Sequence, residues 1–468
     1  MRFDIFRQAT FIVASVLPLL AVQVANAQPT FAADPTVRAI IADRIAAKRG
    51  MGLVVAVLEK GKEPRIHTAG VSGIAGLPLD GNTVFEIGSV TKVFTGALLA
   101  DMAARGEVRL DDPVSKYLPK TVRVPSRNGR QITLLDLATQ TSGLPRLPGN
   151  LRPADAANPY ADYGAELLYQ FLSSYTLPRN VGEKYEYSNL GVGLLGHVLS
   201  LRGGKSYGQL VKERILDPLG MHDTSVELWP SMKPRMAQGF NAYGTPVRTW
   251  DFSVLAGAGA LRSTANDMLR FLAANLDSGS NLTAMALAEA RLSRRAADRP
   301  GNRIGLGWHI VDVFGTTLTW HNGGTGGFRT FIGMDEAKRR GVIVLSNSTI
   351  SPDDIAFHLL EPQVALAGAP APPRLRSEIA VDPRKLEAYV GVYQLAPEFQ
   401  LTISREGGSL FGQATGQPRA QLFAESEIEF FLKVVDAQVT FVKGSTGKVN
   451  QLILHQNGSN IAGLRVSK

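Results

Sequence analysis

The stretch that decides the fold is residues 85–96, with the sequence FEIGSVTKVFTG. Ser89 and Lys92 stand three residues apart at the start of an apolar run that is typical of a helix. Residues i and i+3 share one face of a helix, so the hydroxyl and the amine can meet there. A serine needs an adjacent base to become a nucleophile, and a lysine can be that base when burial or neighbouring charges lower its pKa. The stretch therefore predicts a serine hydrolase, against the alternative of a helix that carries both residues by chance.

The composition of the chain excludes several classes of function. Its 468 residues are 44% hydrophobic and 19% charged, as in a globular protein long enough for two or more domains. The net charge of +9 is spread without a dense basic run, which disfavours nucleic-acid binding. Because the chain has no cysteine, disulfides and cysteine nucleophiles are excluded. Its histidines lack the spacing of zinc ligands, so we predict neither a metal site nor a cofactor.

Residues 1–27 have the organisation of a secretory signal peptide. Arginines stand at its start, an apolar segment over 9–24 follows, and Ala25-Asn26-Ala27 is an A-x-A cleavage site. The apolar segment is shorter than the roughly 20 residues that cross a bilayer, although an uncleaved anchor is the alternative. We therefore expect cleavage after Ala27 and an exported protein, periplasmic or secreted, without a stable membrane span.

The order of elements over 28–367 predicts an α/β (α+β) domain. Two strands precede the Ser89 helix, and a mostly helical middle follows it. The pattern then changes to strands, before a last helix over 352–366. These later strands are predicted at 305–310, 316–321, 328–334 and 341–346. An antiparallel sheet flanked by helices, with an all-helical subdomain, accounts for this order.

A proline-rich linker, residues 368–380, separates this domain from a second one over 381–468. In the second domain, short alternating strands recur about every ten residues, and no long helix is evident. This spacing predicts a small all-β module, either a lipocalin-like up-and-down barrel or a sandwich.

Two further stretches carry residues that suit the chemistry of Ser89 and Lys92. Tyr187-Ser188-Asn189 supplies a tyrosine that can carry a proton and an amide that can hold a substrate carbonyl and a lysine. Residues 320–328, with the sequence WHNGGTGGF, take a strand into glycines, where backbone can approach a ligand closely. Backbone N–H groups of Ser89 and of this strand can form an oxyanion hole.

These three stretches resemble the S-x-x-K, Y-x-N and K-T-G (or H-T-G) motifs of the serine β-lactamase and penicillin-binding protein superfamily. The resemblance is to its class C β-lactamase, DD-peptidase and esterase branch. The motifs here are Ser89-Val90-Thr91-Lys92, Tyr187-Ser188-Asn189 and His321-Asn322-Gly323. The resemblance covers about residues 35–367, and the region around 124–150 is most similar to D-alanyl-D-alanine carboxypeptidase/endopeptidase relatives. It implies the β-lactamase/transpeptidase-like fold.

The resemblance also implies a mechanism through an acyl-enzyme on Ser89. Lys92 and Tyr187 would share the proton transfers, and Asn189 would orient the substrate. The N–H groups of Ser89 and Gly324 would polarise the reacting carbonyl.

The third motif carries the main departure from the family pattern. His321 and Gly323 are its substrate-binding candidates, but a histidine is charged only part of the time near neutral pH, whereas a lysine there is a fixed cation. Arg329, beside the glycine strand, is a candidate to pair with a substrate carboxylate instead.

The resulting hypothesis is an exported serine hydrolase that acts on β-lactams or D-Ala-type peptidoglycan amides. The alternatives are an esterase of the same fold and a non-hydrolytic protein that binds β-lactam or cell-wall peptide.

Two other motif matches are weaker. Residues 204–208 match G-x-S-x-G but follow a helix rather than the strand that a nucleophile elbow needs. Residues 191–196 match G-x-G-x-x-G, but they lie within a predicted helix, where close packing explains the glycines better than a dinucleotide does.

Overall fold

The computed structural model describes most of the chain. The described residues are 31–277, 279–368, 376–396, 399–415, 419–433, 437–444, 446–456 and 459–467. The predicted signal peptide, residues 1–27, and residues 369–375 of the predicted linker lie outside them. Within these ranges, no helix has both the length and the apolar character needed to cross a membrane.

The helices of the described residues are concentrated in the first domain. They are α1 (Asp34–Ala46), α2 (Thr91–Ala104), α3 (Leu134–Ala138), α4 (Ala165–Ser174), α5 (Asn189–Gly203), α6 (Tyr207–Val211), α7 (Ala265–Leu276), α8 (Leu282–Arg291), α9 (Asp353–Leu360) and α10 (Pro383–Leu386).

The strands fall into two groups, one in each domain. Those of the first domain are β1 (Gly52–Glu59), β2 (Arg65–Gly70), β3 (Phe85–Glu86), β4 (Ser126–Arg127), β5 (Arg130–Gln131), β6 (Gly239–Phe240), β7 (Pro246–Val247), β8 (Arg262–Ser263), β9 (Arg295–Ala296), β10 (Arg303–Ile304), β11 (His309–Val313), β12 (Thr316–Gly324), β13 (Arg329–Asp335) and β14 (Arg340–Ser346). Those of the second are β15 (Gly391–Ala396), β16 (Phe399–Glu406), β17 (Ser409–Ala414), β18 (Ala420–Ala424), β19 (Glu429–Phe431), β20 (Ala437–Lys443), β21 (Val449–Gln456) and β22 (Ser459–Ser467).

An antiparallel sheet with the order β2-β1-β14-β13-β12-β11-β10-β9 forms the centre of the first domain. Its strand β1 is apolar almost throughout because it is buried on both faces. Val54 and Ala56 enter the core that contains residues of α2 and α7, whereas Val55 and Val57 pack with residues of α1 and α9. The sheet is therefore covered by helices on both sides, which confirms the predicted α/β architecture.

Two predictions about local elements in this domain are wrong. The last helix ends at Leu360 rather than 366, because Pro362 disfavours helical backbone at Glu361, which is extended with φ −138° and ψ 99°. Residues 305–308, predicted as part of a strand, form a turn in which Gly305 N donates to Trp308 O. Gly307 has φ +85° there, and a Cβ at this position would lie 2.6 Å from the backbone oxygen of Lys92.

Helix α8 has no counterpart among the sequence predictions. Its apolar positions are filled mostly by alanine, which gives a weak helical period. Its start is nevertheless well defined, since the side chain of Asn281 accepts a hydrogen bond of 2.8 Å from Ala284 N.

The second domain is a closed antiparallel barrel of β15 to β22 in sequence order. The last strand returns to the first, with Gln394 opposite Leu464. Inward-facing aromatic and aliphatic side chains fill the core, among them Tyr393, Val439, Phe441 and Leu452. Of the two predicted all-β forms, the barrel is therefore confirmed.

Candidate active site

Ser89 lies in a single 3-10 turn, Gly88–Val90, which leads directly into α2. Gly88 has φ +50°, and a Cβ at this position would lie 2.6 Å from Gly324 N. Only a glycine can combine this backbone conformation with so close a contact. The turn therefore brings Ser89 against the end of β12, where the glycines of the third motif lie.

Lys92 is completely buried on the first turn of α2, with 0% exposure. Its Nζ lies 2.9 Å from Ser89 Oγ, 2.8 Å from Asn189 Oδ1 and 2.6 Å from the backbone oxygen of Ala258. Burial lowers the pKa of Lys92 well below its ordinary value of 10.5, and the positive charge of Arg146 lowers it further. The lowered pKa is the property that a lysine needs in order to act as the base beside Ser89.

The contact of Lys92 with Ala258 depends on glycines of α5. A Cβ at Gly196 would lie 2.8 Å from the Cα of Gly257, and one at Gly193 would lie 2.6 Å from Leu255 Cδ2. The turn at 256–258 can approach Lys92 because these positions lack side chains. Close packing, rather than dinucleotide binding, explains the G-x-G-x-x-G match.

The G-x-S-x-G match also has a structural explanation. The side chain of Ser206 accepts from Gln209 N and begins α6, so this serine caps a helix and does not lie at a nucleophile elbow.

Tyr187 and Asn189 are placed by the start of α5. The hydroxyl of Ser188, between them, accepts a hydrogen bond of 2.8 Å from Gly191 N and caps the helix. The backbone N–H of Ser188 donates to Gln140 Oε1 at 2.7 Å. Tyr187 therefore directly precedes the helix, and Asn189 occupies its first position.

The Tyr187 ring lies beside the base, with Lys92 Nζ 5.0 Å from the ring centroid. Burial raises the pKa of Tyr187 to about 12, although a hydrogen bond with Ser89 acts in the opposite direction. The phenol therefore keeps its proton at neutral pH and can donate it.

A cleft of about 690 Å³ opens above Ser89. Of the residues predicted to form the site, Ser89, Tyr187, Asn189, Gly323, Gly324 and Arg329 line it. Lys92 lies directly beneath Ser89. The structure thus brings these seven predicted residues together from α2 and the turn before it, from the start of α5, and from β12 and β13.

The sequence did not identify several other residues that line the cleft. They include Arg146, Tyr160, Asn241, Trp250, His309, Ser351 and, from the barrel, Lys433. The Tyr160 ring lies 5.4 Å from that of Trp250 and 4.7 Å from that of Phe252, so the three form an aromatic wall. Tyr160 and Trp250 belong to irregular segments without periodicity, whereas Arg146 lies within the region around 124–150 that resembles the carboxypeptidase/endopeptidase relatives.

Comparison with known proteins identifies the family of the first domain. The family model with the description Beta-lactamase matches residues 37–363, which is more than half of the chain. The chain belongs to the β-lactamase family. A second model, described as a domain of unknown function (DUF3471), matches residues 375–464, which include β15 to β21 and part of β22.

Individual relatives support the same assignment. The D-alanyl-D-alanine-carboxypeptidase/endopeptidase AmpH of Escherichia coli (strain K12) is 33% identical over 279 residues, 56% of this chain and 71% of the relative. A β-lactamase of the same organism is 29% identical over 367 residues, 70% of this chain and 93% of the relative. The crystal structure of D-alanine carboxypeptidase AmpC from Burkholderia cenocepacia has a TM-score of 0.60 and 25% identity, covering 70% of this chain and 98% of that one. The predicted superfamily and fold are therefore confirmed.

His321, at the position where the β-lactamase family pattern has lysine or histidine, is only 1% exposed. Its Nδ1 lies 2.6 Å from the backbone oxygen of Asn322. Burial lowers its pKa well below 6.5, and the neighbouring His309 and Lys92 lower it further. The sequence left open a partial charge here, but the structure favours a neutral ring beneath the cleft wall. Direct substrate binding by His321 stays a prediction.

Glu86 belongs to the same stretch as Ser89, residues 85–96, and contacts the backbone of Trp250 in the cleft wall. Its Oε1 accepts a hydrogen bond of 2.7 Å from Trp250 N. Burial raises the pKa of Glu86 to about 7, against the opposing effects of that hydrogen bond and of Arg262.

The raised pKa of Glu86 predicts a loss of stability with rising pH. An unfolded glutamate loses its proton near its ordinary pKa of 4.5, whereas the folded one keeps it to about 7, so the folded state binds more protons in between. The stabilisation that the protonated Glu86 gives the folded state is complete below pH 4.5 and disappears as the pH rises through about 7. Between pH 4.5 and 7, the free energy of unfolding of the wild type should fall by on the order of 3 kcal/mol more than that of Glu86→Gln, as measured by urea denaturation. A parallel pH dependence of the two proteins would contradict this assignment.

Proposed function

We propose that this protein is an exported serine hydrolase that forms an acyl-enzyme on Ser89 with β-lactams or D-Ala-type peptidoglycan amides. The observation that carries the proposal is the set of three partners around the buried amine of Lys92. Export rests on the predicted signal peptide. The substrate class rests on the family and on the relatives named as β-lactamases and D-alanine carboxypeptidases.

The three partners of Lys92 suit a neutral amine, which has two N–H bonds and one lone pair. The carbonyl oxygens of Asn189 and Ala258 can only accept, so together they use both N–H bonds. The lone pair is then left for the hydroxyl of Ser89, 2.9 Å away. The lowered pKa supports this neutral form. Lys92 is therefore oriented to take the proton of Ser89.

The reaction follows from this arrangement. Ser89 Oγ attacks the substrate carbonyl carbon while its proton passes to Lys92 Nζ. The N–H groups of Ser89 and Gly324 would stabilise the oxyanion that forms. Tyr187 donates its proton to the departing nitrogen and regains one from Lys92, so the C–N bond breaks and both groups return to their starting states. Water then hydrolyses the ester on Ser89.

Arg329 supports recognition of the substrate carboxylate. A Cβ at Gly324 would overlap the Arg329 guanidinium, so this cation lies against the proposed oxyanion site. Because His321 is buried and uncharged, the fixed positive charge on this wall comes from Arg329. A planar guanidinium binds a carboxylate through two parallel hydrogen bonds.

The proposal is tested with purified protein, nitrocefin, acetyl-Lys-D-Ala-D-Ala and a short-chain p-nitrophenyl ester. We expect turnover of the β-lactam or the peptide, and a mass increase on Ser89 that the Ser89→Ala protein lacks. Turnover of the ester alone would replace the proposal by the esterase alternative. A long-lived adduct without turnover would favour a β-lactam-binding protein. Full activity of Ser89→Ala, or neither turnover nor adduct in the wild type, would refute the hydrolase assignment.

A further inference from the structure

We infer that Arg146 selects substrates that carry a second anionic group, in addition to the carboxylate assigned to Arg329. The inference rests on the proposed function and names the substrate class more closely. It follows from the charge of the cleft and from the positions of the two arginines on different walls.

The described residues that line the cleft include three lysine or arginine side chains and no aspartate or glutamate. They are Arg146, Arg329 and Lys433, whereas burial lowers the pKa of His309, which also lines the cleft, to about 4. Lys433 has a carboxylate partner, since its Nζ lies 2.7 Å from Glu378 Oε2. Among the described residues, no carboxylate lies within ion-pair distance of Arg146 or Arg329. The cleft therefore presents two guanidinium groups that are available to an anionic ligand.

Arg146 is fixed to the helical wall of the cleft. Its backbone oxygen accepts hydrogen bonds from the N–H groups of Asn189, at 3.0 Å, and Leu190, at 3.2 Å. Its guanidinium carbon lies 5.0 Å from the centroid of the Tyr187 ring. Arg146 therefore extends over the tyrosine that we propose as the proton donor.

Arg329 lies on the other wall, at the start of β13 and against Gly324. Burial lowers the pKa of Arg329, the negative charge of Asp353 opposes this effect, and the positive charge of Arg146 adds to it. The two cations are thus close enough to repel each other across the cleft. A substrate with one anionic group for each arginine would relieve that repulsion, whereas a monoanion would leave one guanidinium unpaired.

A competing role for Arg146 is electrostatic support of the base, because its charge also lowers the pKa of Lys92. In that role Arg146 would affect all substrates alike and would change the pH dependence of acylation. In the selecting role it would affect only the substrates that carry the second anion, chiefly through KM.

Matched substrates separate the two roles. Benzylpenicillin and carbenicillin differ by one side-chain carboxylate, and acetyl-D-Ala-D-Ala and succinyl-D-Ala-D-Ala differ in the same way. We expect the wild type to prefer the dianionic member of a pair at least about tenfold in kcat/KM, as one charge-assisted hydrogen bond allows. Arg146→Gln should bring the ratio to about one, mainly by raising KM for the dianion. Arg152→Gln is the control, since Arg152 is exposed on the same loop and hydrogen bonds to backbone oxygens.

A ratio near one in the wild type would overturn the inference, as would an equal loss for both members of each pair in Arg146→Gln. Calorimetry of Ser89→Ala with the two D-Ala-D-Ala peptides distinguishes this failure from failure of the proposed function. Tighter binding of the succinyl peptide that depends on Arg146, without acylation of the wild type, would support the selectivity and refute the hydrolase. Acylation of the wild type without any preference for the dianionic substrates would support the hydrolase and refute the selectivity of Arg146.

Discussion

The Lys92→Met protein should acylate Ser89 about a thousandfold more slowly than the wild type, because the side chain that takes the serine proton is lost. Methionine is similar in length to lysine and suits a buried position, so the variant separates basicity from packing. Rapid-quench mass spectrometry with a penicillin measures the acylation rate directly.

The Lys92→Met variant should remain folded, although it loses stability. Asn189 Oδ1 and Ala258 O lose their shared donor, at a cost of about 1–3 kcal/mol for each acceptor. Removing a buried amine offsets part of this cost. Lys120→Met is the matched control, since Lys120 is exposed. A folded Lys92→Met protein that acylates at the wild-type rate would show that Lys92 is not the base.

The second large effect is expected for Gly196→Val, which adds a side chain where α5 meets the turn at 256–258. Even a Cβ there would lie 2.8 Å from the Cα of Gly257, so backbone must move. Overpacking of this kind costs about 3 kcal/mol. The displaced turn carries the carbonyl of Ala258 that holds Lys92. Acylation should therefore fall even at temperatures where the variant is still folded.

Gly164→Val is the control for this substitution. A Cβ at Gly164 meets nothing within 4 Å, and the backbone there is extended, with φ −83° and ψ 177°. Because Gly164 is the N-cap of α4, we expect a loss of about 1 kcal/mol in stability, with near-normal acylation. Comparable losses for Gly164→Val and Gly196→Val, in thermal unfolding and in acylation, would contradict a specific role of the contact with Gly257.

The sequence predicted the parts of the site that depend on local spacing. Ser89 and Lys92 meet because they share a helix face, and Tyr187 and Asn189 flank the serine that caps α5. Motif resemblance supplied Gly323 and Gly324, and Arg329 was predicted from its position beside the glycine strand. In the second domain, alternating strands at regular spacing were enough to predict an all-β module. Only the pairing of β15 with β22 in the structure distinguishes a closed barrel from a sandwich.

What the sequence did not predict depends on contacts between distant segments. Ala258 is 166 positions from Lys92, and nothing in its own surroundings marks its carbonyl as a partner of the amine. The aromatic wall likewise joins Tyr160 to Trp250 and Phe252, which are far from it in the sequence. The neutral state of His321 likewise follows from tertiary burial, since an isolated histidine is half-charged near pH 6.5.

The central claim is that a neutral Lys92 takes the proton from Ser89, and the pH dependence of the acylation rate tests it most directly. The rate should rise with a single ionisation well below 10.5, the ordinary pKa of lysine, and then stay constant. That ionisation should be absent from the residual rate of Lys92→Met. A wild-type rate that still rises through pH 10.5, as for an ordinary lysine, would contradict the account.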